Sequence, residues 1–473
     1  GRSSLVARPP AFMPSISLVD MKTPSQSQSL QFAALVLVAF TGLLPAQDLV
    51  PVAVSPCYSL ADTAQAEFAL SSAFDGSNFL IGIRGNASHP DTVGAQLLSP
   101  ATGAKVGAFM STGRLMDGDL DGPRVAFGGP NYLMVWTDAA SQHTSSGNDI
   151  YAQFISPAGN LVDSAFPVST ASGDQYARGV AFDGTNYLVI WAAEDGLRGR
   201  RLSSTGQLLG TELVFTAEEV EEAAAVAYGG GQYLVVWVEG FDGAHAAKGR
   251  LVSPAGGMGA VMTLSQNPSH FYNPISVAFG EDRFMVVWHH NANEDADWNL
   301  RGRMVLPEGT LTGSELFLVS GALDEFAWAN NVVFDGEHFL LSWTQADGNP
   351  TVTDSVIWGQ YWSRSGVAQG SPFIVDNTVR SKLGVGLSGA NGRILTVINT
   401  GIMASTANVC ARIITRPFVQ ITPAGSQGIQ VTFNGVLQSS TNLQSWIDIV
   451  PQPASPWLHQ PGAGNVFFRA MEQ

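Results

Sequence analysis

One block of twelve residues recurs along this chain, and it limits the fold more than any other feature. VAFGGPNYLMVW (125–136), VAFDGTNYLVIW (180–191), VAYGGGQYLVVW (226–237), VAFGEDRFMVVW (277–288) and VVFDGEHFLLSW (332–343) are near copies of one another. An earlier copy, SAFDGSNFLIGI (72–83), and a worn one, VGLSGANGRILTVI (385–398), flank them. Their anchors Phe74, Phe127, Phe182, Tyr228, Phe279, Phe334 and Leu387 are separated by 53, 55, 46, 51, 55 and 53 residues. A period of about 50 residues marks a repeat architecture, in which one supersecondary unit is stacked on its own copies.

Each block reads as a short strand, a tight turn of Asp, Gly and Asn, and a second strand of aromatic and β-branched residues, which is the composition of a β-hairpin. A second pair follows in every copy. AQLLSP (95–100), AQFISP (152–157), GRRLSS (199–204), GRLVSP (249–254), GRMVLP (302–307), GQYWSR (359–364) and ARIITR (411–416) make a third strand. Most run through a Gly or Pro turn into a fourth, such as AFPVST (165–170) or LFLVSG (316–321). The unit is therefore four antiparallel strands with almost no helix signal.

The ends of the array decide how the units assemble. DLVPVAVSP (48–56) reads like a fourth strand yet precedes the first hairpin, and the last copy leaves the pattern after its third strand at 411–415. A ring closes by sharing a blade between its two ends, whereas an open solenoid needs polar caps. The expected fold is all-β: a seven-bladed β-propeller of four-stranded antiparallel blades, closed by N- and C-terminal strands. Cys57 follows the N-terminal strand and Cys410 precedes the last third strand, so closure puts both on one edge of the shared blade. A Cys57–Cys410 disulfide in an oxidising compartment is the expectation; two buried free thiols are the alternative.

Beyond Phe418 the repeat stops, and residues 417–473 read as a small β-sandwich-like module with a buried Trp446. At the other end, Lys22, the apolar run 32–44 and Leu44-Pro45-Ala46 have the layout of a secretory signal too short to span a bilayer. The division is then 1–46 extension and signal peptide, 47–416 propeller, 417–473 module. Removing residues 1–46 takes away a net +2 (Arg2, Arg8 and Lys22 against Asp20), so the formal charge goes from −16 to −18. With four lysines among 473 residues, such a chain is poorly suited to nucleic acid or to anionic membrane surfaces. No membrane insertion is expected after signal removal, and the mature protein is expected to be a monomer, secreted or held in the cell envelope.

Residues 48–416 resemble the repeats, with an FDGTNYLVVW core, of many secreted bacterial proteins with β-propeller domains. Trp136, Trp191, Trp237, Trp288 and Trp343 match the terminal Trp of that repeat, while Ile83 and Ile398 depart from it. The tail VLQSSTNLQSWIDI…VFFRA (436–470) is similar to a C-terminal β module of exported proteins of Verrucomicrobia-like bacteria. The resemblance implies architecture and export, and it implies no reaction.

In such a blade the first-to-second and third-to-fourth turns share one face, and here they are tight. The second-to-third and fourth-to-first loops share the other face and include long ones: 111–123, 137–149, 289–299 and 344–355. Long loops on a rigid frame are where binding sites are built. They concentrate acid at Asp138, Asp149, Glu194, Asp195, Glu239, Asp242, Glu294, Asp295, Asp297 and Asp347. Within 111–123, Asp117, Asp119 and Asp121 spell D-x-D-x-D-G, whose alternating carboxylates converge on calcium in loops of that type. The bidentate Glu of a full calcium hand is absent, since its position is Gly128; an ordinary Asp/Gly turn is the alternative. Asn293, Asp295, Asp297 and Asn299 form a second, weaker alternating set. His289 and His290 are adjacent on a strand, so they point to opposite faces, one expected packed and the other in solvent. No nucleophile elbow, H-E-x-x-H or phosphate loop is present, and the five Trp are expected to pack between blades. These readings favour non-catalytic recognition of a carbohydrate or cell-surface protein through the acidic loop face. A polysaccharide hydrolase or lyase using loop carboxylates is the alternative.

Overall fold

In the computed structural model, residues 53–471 are described apart from 61–67, 86–90, 117–121, 140–146, 219, 221–222, 241–244, 267–274, 294–295, 320–329, 347–354, 379–381, 391, 401–407, 417, 424–428, 435, 442–444, 446 and 460–465. Six four-stranded antiparallel sheets follow one another, each with its strands in chain order. Blade 1 begins at Phe68–Phe74, blade 2 at Arg124–Gly128, blade 3 at Gln175–Phe182, blade 4 at Ala224–Gly229, blade 5 at Ile275–Gly280 and blade 6 at Asn330–Phe334. The seventh sheet joins Lys382–Ala390, Arg393–Thr400 and Asn408–Thr415 to strands from the N-terminal end. The first strand of each blade packs on the first strand of the next, and Lys382–Ala390 returns to Phe68–Phe74. The ring is closed, and the chain is a seven-bladed β-propeller.

In three copies of the repeated block the hairpin turn is held by its own aspartate side chain. Asp75 Oδ1 accepts from the Ser77 and Asn78 N–H groups, Asp183 Oδ1 from Thr185 and Asn186, and Asp335 Oδ1 from Glu337 and His338. This Asx turn leaves the next residue free to be glycine in the left-handed region, as at Gly184 with φ 94°. The second strand that follows is interior to its sheet and packed on both faces. Leu188, Val189 and Ile190 are all fully buried.

Core packing lies between blades rather than inside one. Seven clusters of buried apolar residues occupy the seven interfaces, each drawing on two adjacent blades. Trp136, Trp191, Trp237, Trp288 and Trp343 are at most 2% exposed within them. They are packing residues, as the repeat pattern predicts. The Tyr of N-Y-L also reaches across an interface. Tyr132 Oη donates to Asn78 O (3.0 Å), Tyr187 Oη to Asn131 O (3.0 Å) and Tyr233 Oη to Asn186 O (2.9 Å), each on the turn of the preceding blade. Burial pushes all three phenols well above their ordinary pKa.

The shared blade differs in one respect from the strand expected at 48–56. Within the described residues it is two short pieces, Ala53–Val54 against Thr415 and Ile414, and Tyr58–Ser59 against Ala411 and Cys410. Pro56 lies between them and lacks an N–H for the ladder, so the edge strand breaks there. Side chains bridge the gap: Ile413 N donates to Ser55 Oγ (2.8 Å) and an Arg412 NH group to Ser55 O (2.7 Å). Cys57 and Cys410 form the expected disulfide, with Cα atoms 5.7 Å apart.

After Arg416 the strands no longer belong to the ring. Phe418–Pro423, Ile429–Asn434 and Trp457–His459 make one small sheet, and Ile447–Asp448, Val436–Ser440 and Phe467–Met471 make another. Val431, Leu437 and Phe468 form their common core, with Trp457 packed against it. Trp446, the tryptophan expected there, lies outside the described residues.

Candidate functional site

Strand direction places the chemistry. The second strand of each blade ends, just beyond its Trp, on the face of the second-to-third loops. Alternation then puts the residue two places after the Trp on the same side of the sheet as the indole. The blades differ at this position: Asp138, Ala193, Glu239, His290 and Gln345 follow the five Trp, and Thr400 follows Ile398.

Blades 2 and 4 treat this position alike. In blade 2 the Trp136 indole N–H donates to Asp138 Oδ2 (2.9 Å), and Arg114 grips the same carboxylate through Nε (2.7 Å) and one NH2 group (2.8 Å). The guanidinium also lies 3.9 Å over the Tyr151 ring. Burial alone would lower the Arg114 pKa, but Asp138 outweighs it and the pKa is raised. In blade 4 the Trp237 indole donates to Glu239 Oε2 (2.8 Å), Thr216 Oγ1 lies 3.2 Å from the same oxygen, and Lys248 is 3.6 Å from Oε1. In blade 3 Arg198 pairs with Asp195. Thus Asp138, Asp195 and Glu239, three of the acids that made the loop face look acidic, sit in ion pairs. Asp149 is also buried, at 3% exposure.

Blade 5 departs from this arrangement. Its second strand, Arg283–Asn293, runs five residues past Trp288 before Asn293 pairs with Ala296. His289 and His290 are both buried, at 2% and 4% exposure, so neither faces solvent as one of them was expected to. The reason is that neighbouring blades cover both faces of a second strand, and this strand is long enough to carry that cover past the Trp. Burial, and then the Arg301 charge, hold the His290 pKa below its ordinary value, with Glu315 opposing them. Arg301 NH1 is 3.5 Å from Glu315 Oε1, and its guanidinium lies 3.5 Å over Phe317.

Asp117, Asp119 and Asp121 lie outside the described residues, as do Asp242, Glu294, Asp295 and Asp347. The segment holding the three aspartates starts after Met116, which is bridged to Asp138, and ends before Gly122. Asn293 and Asn299 lie in the two strands of the blade 5 hairpin. Among the described residues no group of three His, Cys, Asp or Glu side chains is placed to hold a metal ion.

One cluster on the opposite face was missed by sequence reasoning. Arg416, directly after the last third strand, reaches back to the blade 6 turn, bonding Asp335 through Nε and NH2 and Glu337 through NH1. The guanidinium and Asp335 are 4% and 0% exposed. Burial opposes the Arg416 charge, but Asp335 overcomes it and raises the pKa. The available signal was Arg416 itself, directly after Thr415, where three of the six other copies have Ser-Pro.

The sequence matches no protein-family description and no curated protein. Solved propellers align over most of the chain. The propeller domain of Cps50 (Swd1) from Myceliophteria thermophila is 10% identical, covering 77% of this chain and all of that one, with a TM-score of 0.44. The Dos1 propeller is 9% identical, covering 80% of this chain and 92% of that one, at a TM-score of 0.42. A neuraminidase-like protein from an A/bat/Guatemala strain is 8% identical over 78% of this chain and 95% of its own, at 0.41.

Proposed function

We propose that this chain is a non-catalytic recognition protein of the cell surface or extracellular space. It takes a carbohydrate, or a surface protein, on the face of its second-to-third loops. The observation that carries this reading is the position two residues past the core Trp. Around a frame that otherwise repeats, it presents Asp138, Ala193, Glu239, His290, Gln345 and Thr400 in turn. Repetition fixes the backbone and leaves one ring of sites free to vary, which is how a rigid scaffold presents a binding surface. Against catalysis stands the pairing of Asp138 with Arg114 and of Glu239 with Lys248, which commits both carboxylates to contacts within the frame. Export is supported by the Cys57–Cys410 disulfide, a bond that persists in oxidising compartments.

The test is retention of the purified full chain on a panel of immobilised polysaccharides, with the supernatants analysed for cleavage. Retention without released reducing ends or unsaturated sugars is expected. Release of either would establish the polysaccharide-active enzyme instead. Failure to bind any glycan would remove the carbohydrate half of the reading and leave a protein ligand. Calcium at Asp117, Asp119 and Asp121 is proposed as part of the same face. Its check is the unfolding midpoint with calcium and with chelator, where a ligand at 100 times its Kd adds about 2.7 kcal/mol.

A further inference from the structure

Blades 2 and 4 show what the site beyond the core Trp is built to hold: an indole N–H and a cation converging on a carboxylate. Blade 5 keeps the first two parts. Trp288 is fully buried, and Arg301 stands opposite it in the strand register, as Lys248 stands opposite Trp237. The third part is replaced, because His290 occupies the carboxylate position. As a result Trp288 Nε1, Arg301 Nε and both ring nitrogens of His290 have no hydrogen-bond partner. Among the described residues the acceptor that meets Arg301 is Glu315. Its Oε1 lies a long 3.5 Å away, and its Oε2 is engaged by the Gln266 N–H at 2.7 Å. Buried donors without acceptors are costly, about 1–3 kcal/mol each, and an oxyanion is the group that relieves several at once. Blade 6 provides the contrast. Trp343 Nε1 also lacks a partner there, but Trp358 rather than a cation stands opposite.

We propose that blade 5 binds the carboxylate of an acidic sugar, held by Trp288, Arg301 and His290. This rests on the recognition reading above and adds the chemistry of the ligand. The sugar half comes from Phe317, which lies on Arg301 and is 63% exposed, an aromatic face beside the carboxylate receptor on which a pyranose can stack. Charge balance requires one further event. Among the described residues the charged groups that bear on His290 are Arg301 in the third strand and Glu315 in the fourth, and they offset one another. A second carboxylate would leave an uncompensated negative charge in a buried place, so His290, neutral beforehand, takes up a proton as the sugar binds. No covalent bond forms or breaks.

The experiment titrates the full chain with sodium glucuronate, with glucose as the neutral counterpart and N-acetylaspartate amide as a peptide carboxylate. Calorimetry in buffers of different ionisation enthalpy and the thermal midpoint are both read. Glucuronate is expected to bind with proton uptake and to tighten by up to tenfold per unit as pH falls from 8 to 6, while glucose has no effect. His290→Gln keeps polarity and bulk but cannot charge, and should abolish both the proton uptake and the pH dependence. Glu315→Gln removes the competing acceptor and should tighten glucuronate binding while also removing the proton linkage, a gain that damage to the fold would not produce. Glucuronate binding that is absent, proton-free in the wild type, or unaltered in both variants would overturn the proposal. A response to N-acetylaspartate amide without one to glucuronate would overturn its sugar half. Neutral glycans retained equally by wild type and His290→Gln would sink this site while leaving the recognition function standing.

Discussion

The two faces of this propeller are made from the same strands and obey different rules. On the turn face the same few devices recur from blade to blade. Asx turns close the hairpins at Asp75, Asp183 and Asp335, and serines cap the third-to-fourth turns, Ser203 Oγ accepting from Gln207 N and Ser253 Oγ from Gly257 N. Tyrosines pin each of three turns to the next blade. On the loop face the residue two places past the core Trp changes from blade to blade, from Asp138 and Glu239 to Ala193 and His290. One face is thus constrained by neighbours that are themselves repeats, and its sequence must repeat. The other meets solvent, and its sequence is free.

Blade 7 is tied once on each face, by the disulfide that closes the ring on the loop face and by an ion pair to blade 6 on the turn face, which allows the two to be compared directly. The third strand of blade 7 starts on the loop face at Asn408 and ends on the turn face at Thr415. Near its start Cys410 is bonded to Cys57; just past its end Arg416 is bonded to Asp335. The turn-face tie should be the more sensitive. Asp335→Ala removes an Asx turn and strands a buried guanidinium, and breaking such a pair costs about 3–5 kcal/mol. Chemical denaturation should show this as a lower midpoint at unchanged slope. Replacing both cysteines by serine opens a loop of 353 residues and should cost about 2–5 kcal/mol. If the double serine variant is the weaker of the two, the loop-face bond contributes more than the turn-face tie and the comparison is reversed.

The tyrosine clasps sharpen the contrast at the next scale down. Tyr187→Phe removes one hydroxyl bonded to both Gly128 O and Asn131 O, at an expected cost of about 1 kcal/mol. Blades 5 and 6 supply the natural control, since Phe284 and Phe339 stand at the same point and are equally buried. Phe284→Tyr should therefore gain little unless a carbonyl of the preceding turn is within reach. A Tyr187→Phe variant indistinguishable from wild type would mean that aromatic packing, not the hydrogen bond, joins the blades.

The same division explains what could be read from sequence. Blade number, strand order and ring closure follow from the anchors Phe74 to Leu387, because packing between like blades forces like residues at like places. The disulfide was expected from ring closure, strand direction and an oxidising compartment together, with free thiols as the alternative, and it is present. The broken edge strand at Pro56 was not foreseen, although proline's missing N–H was in view. The ion pairs of Asp138 and Glu239 were illegible for a physical reason. Their partners Arg114 and Lys248 come from strands 24 residues upstream and nine residues downstream, and in blade 2 from a different blade. A list of acids in loops therefore looked like an exposed acidic face, when three of them were already neutralised. His290 was misjudged because strand alternation places its two faces correctly but does not reveal that both are covered.

The smallest effect tests whether the turn-side frame imposes one backbone on every blade. Just after the third-to-fourth turn the ladder slips register, and at that point Gly107, Gly210, Gly313 and Gly370 have φ between 67° and 70°. In blade 2 the same place is Asp163, at φ 58°, one of two described non-glycine residues in the left-handed region. Aspartate tolerates this conformation better than most residues, but it still carries a Cβ that glycine lacks. Its side chain is exposed, and the contact it makes through the ladder, Gln153 Nε2 to Asp163 O at 3.3 Å, uses only the backbone. Asp163→Gly therefore removes the strain without removing a contact, and should raise stability by up to about 1 kcal/mol, less the entropy that glycine adds to the unfolded chain. Gly313→Asp in blade 5 is the reciprocal change and should lower it by a similar amount. Equal and opposite shifts of the unfolding midpoint would mean that the bulge is a property of the blade. A loss in Asp163→Gly would mean that blade 2 has adapted its frame to the aspartate, and that even the turn face is not uniform.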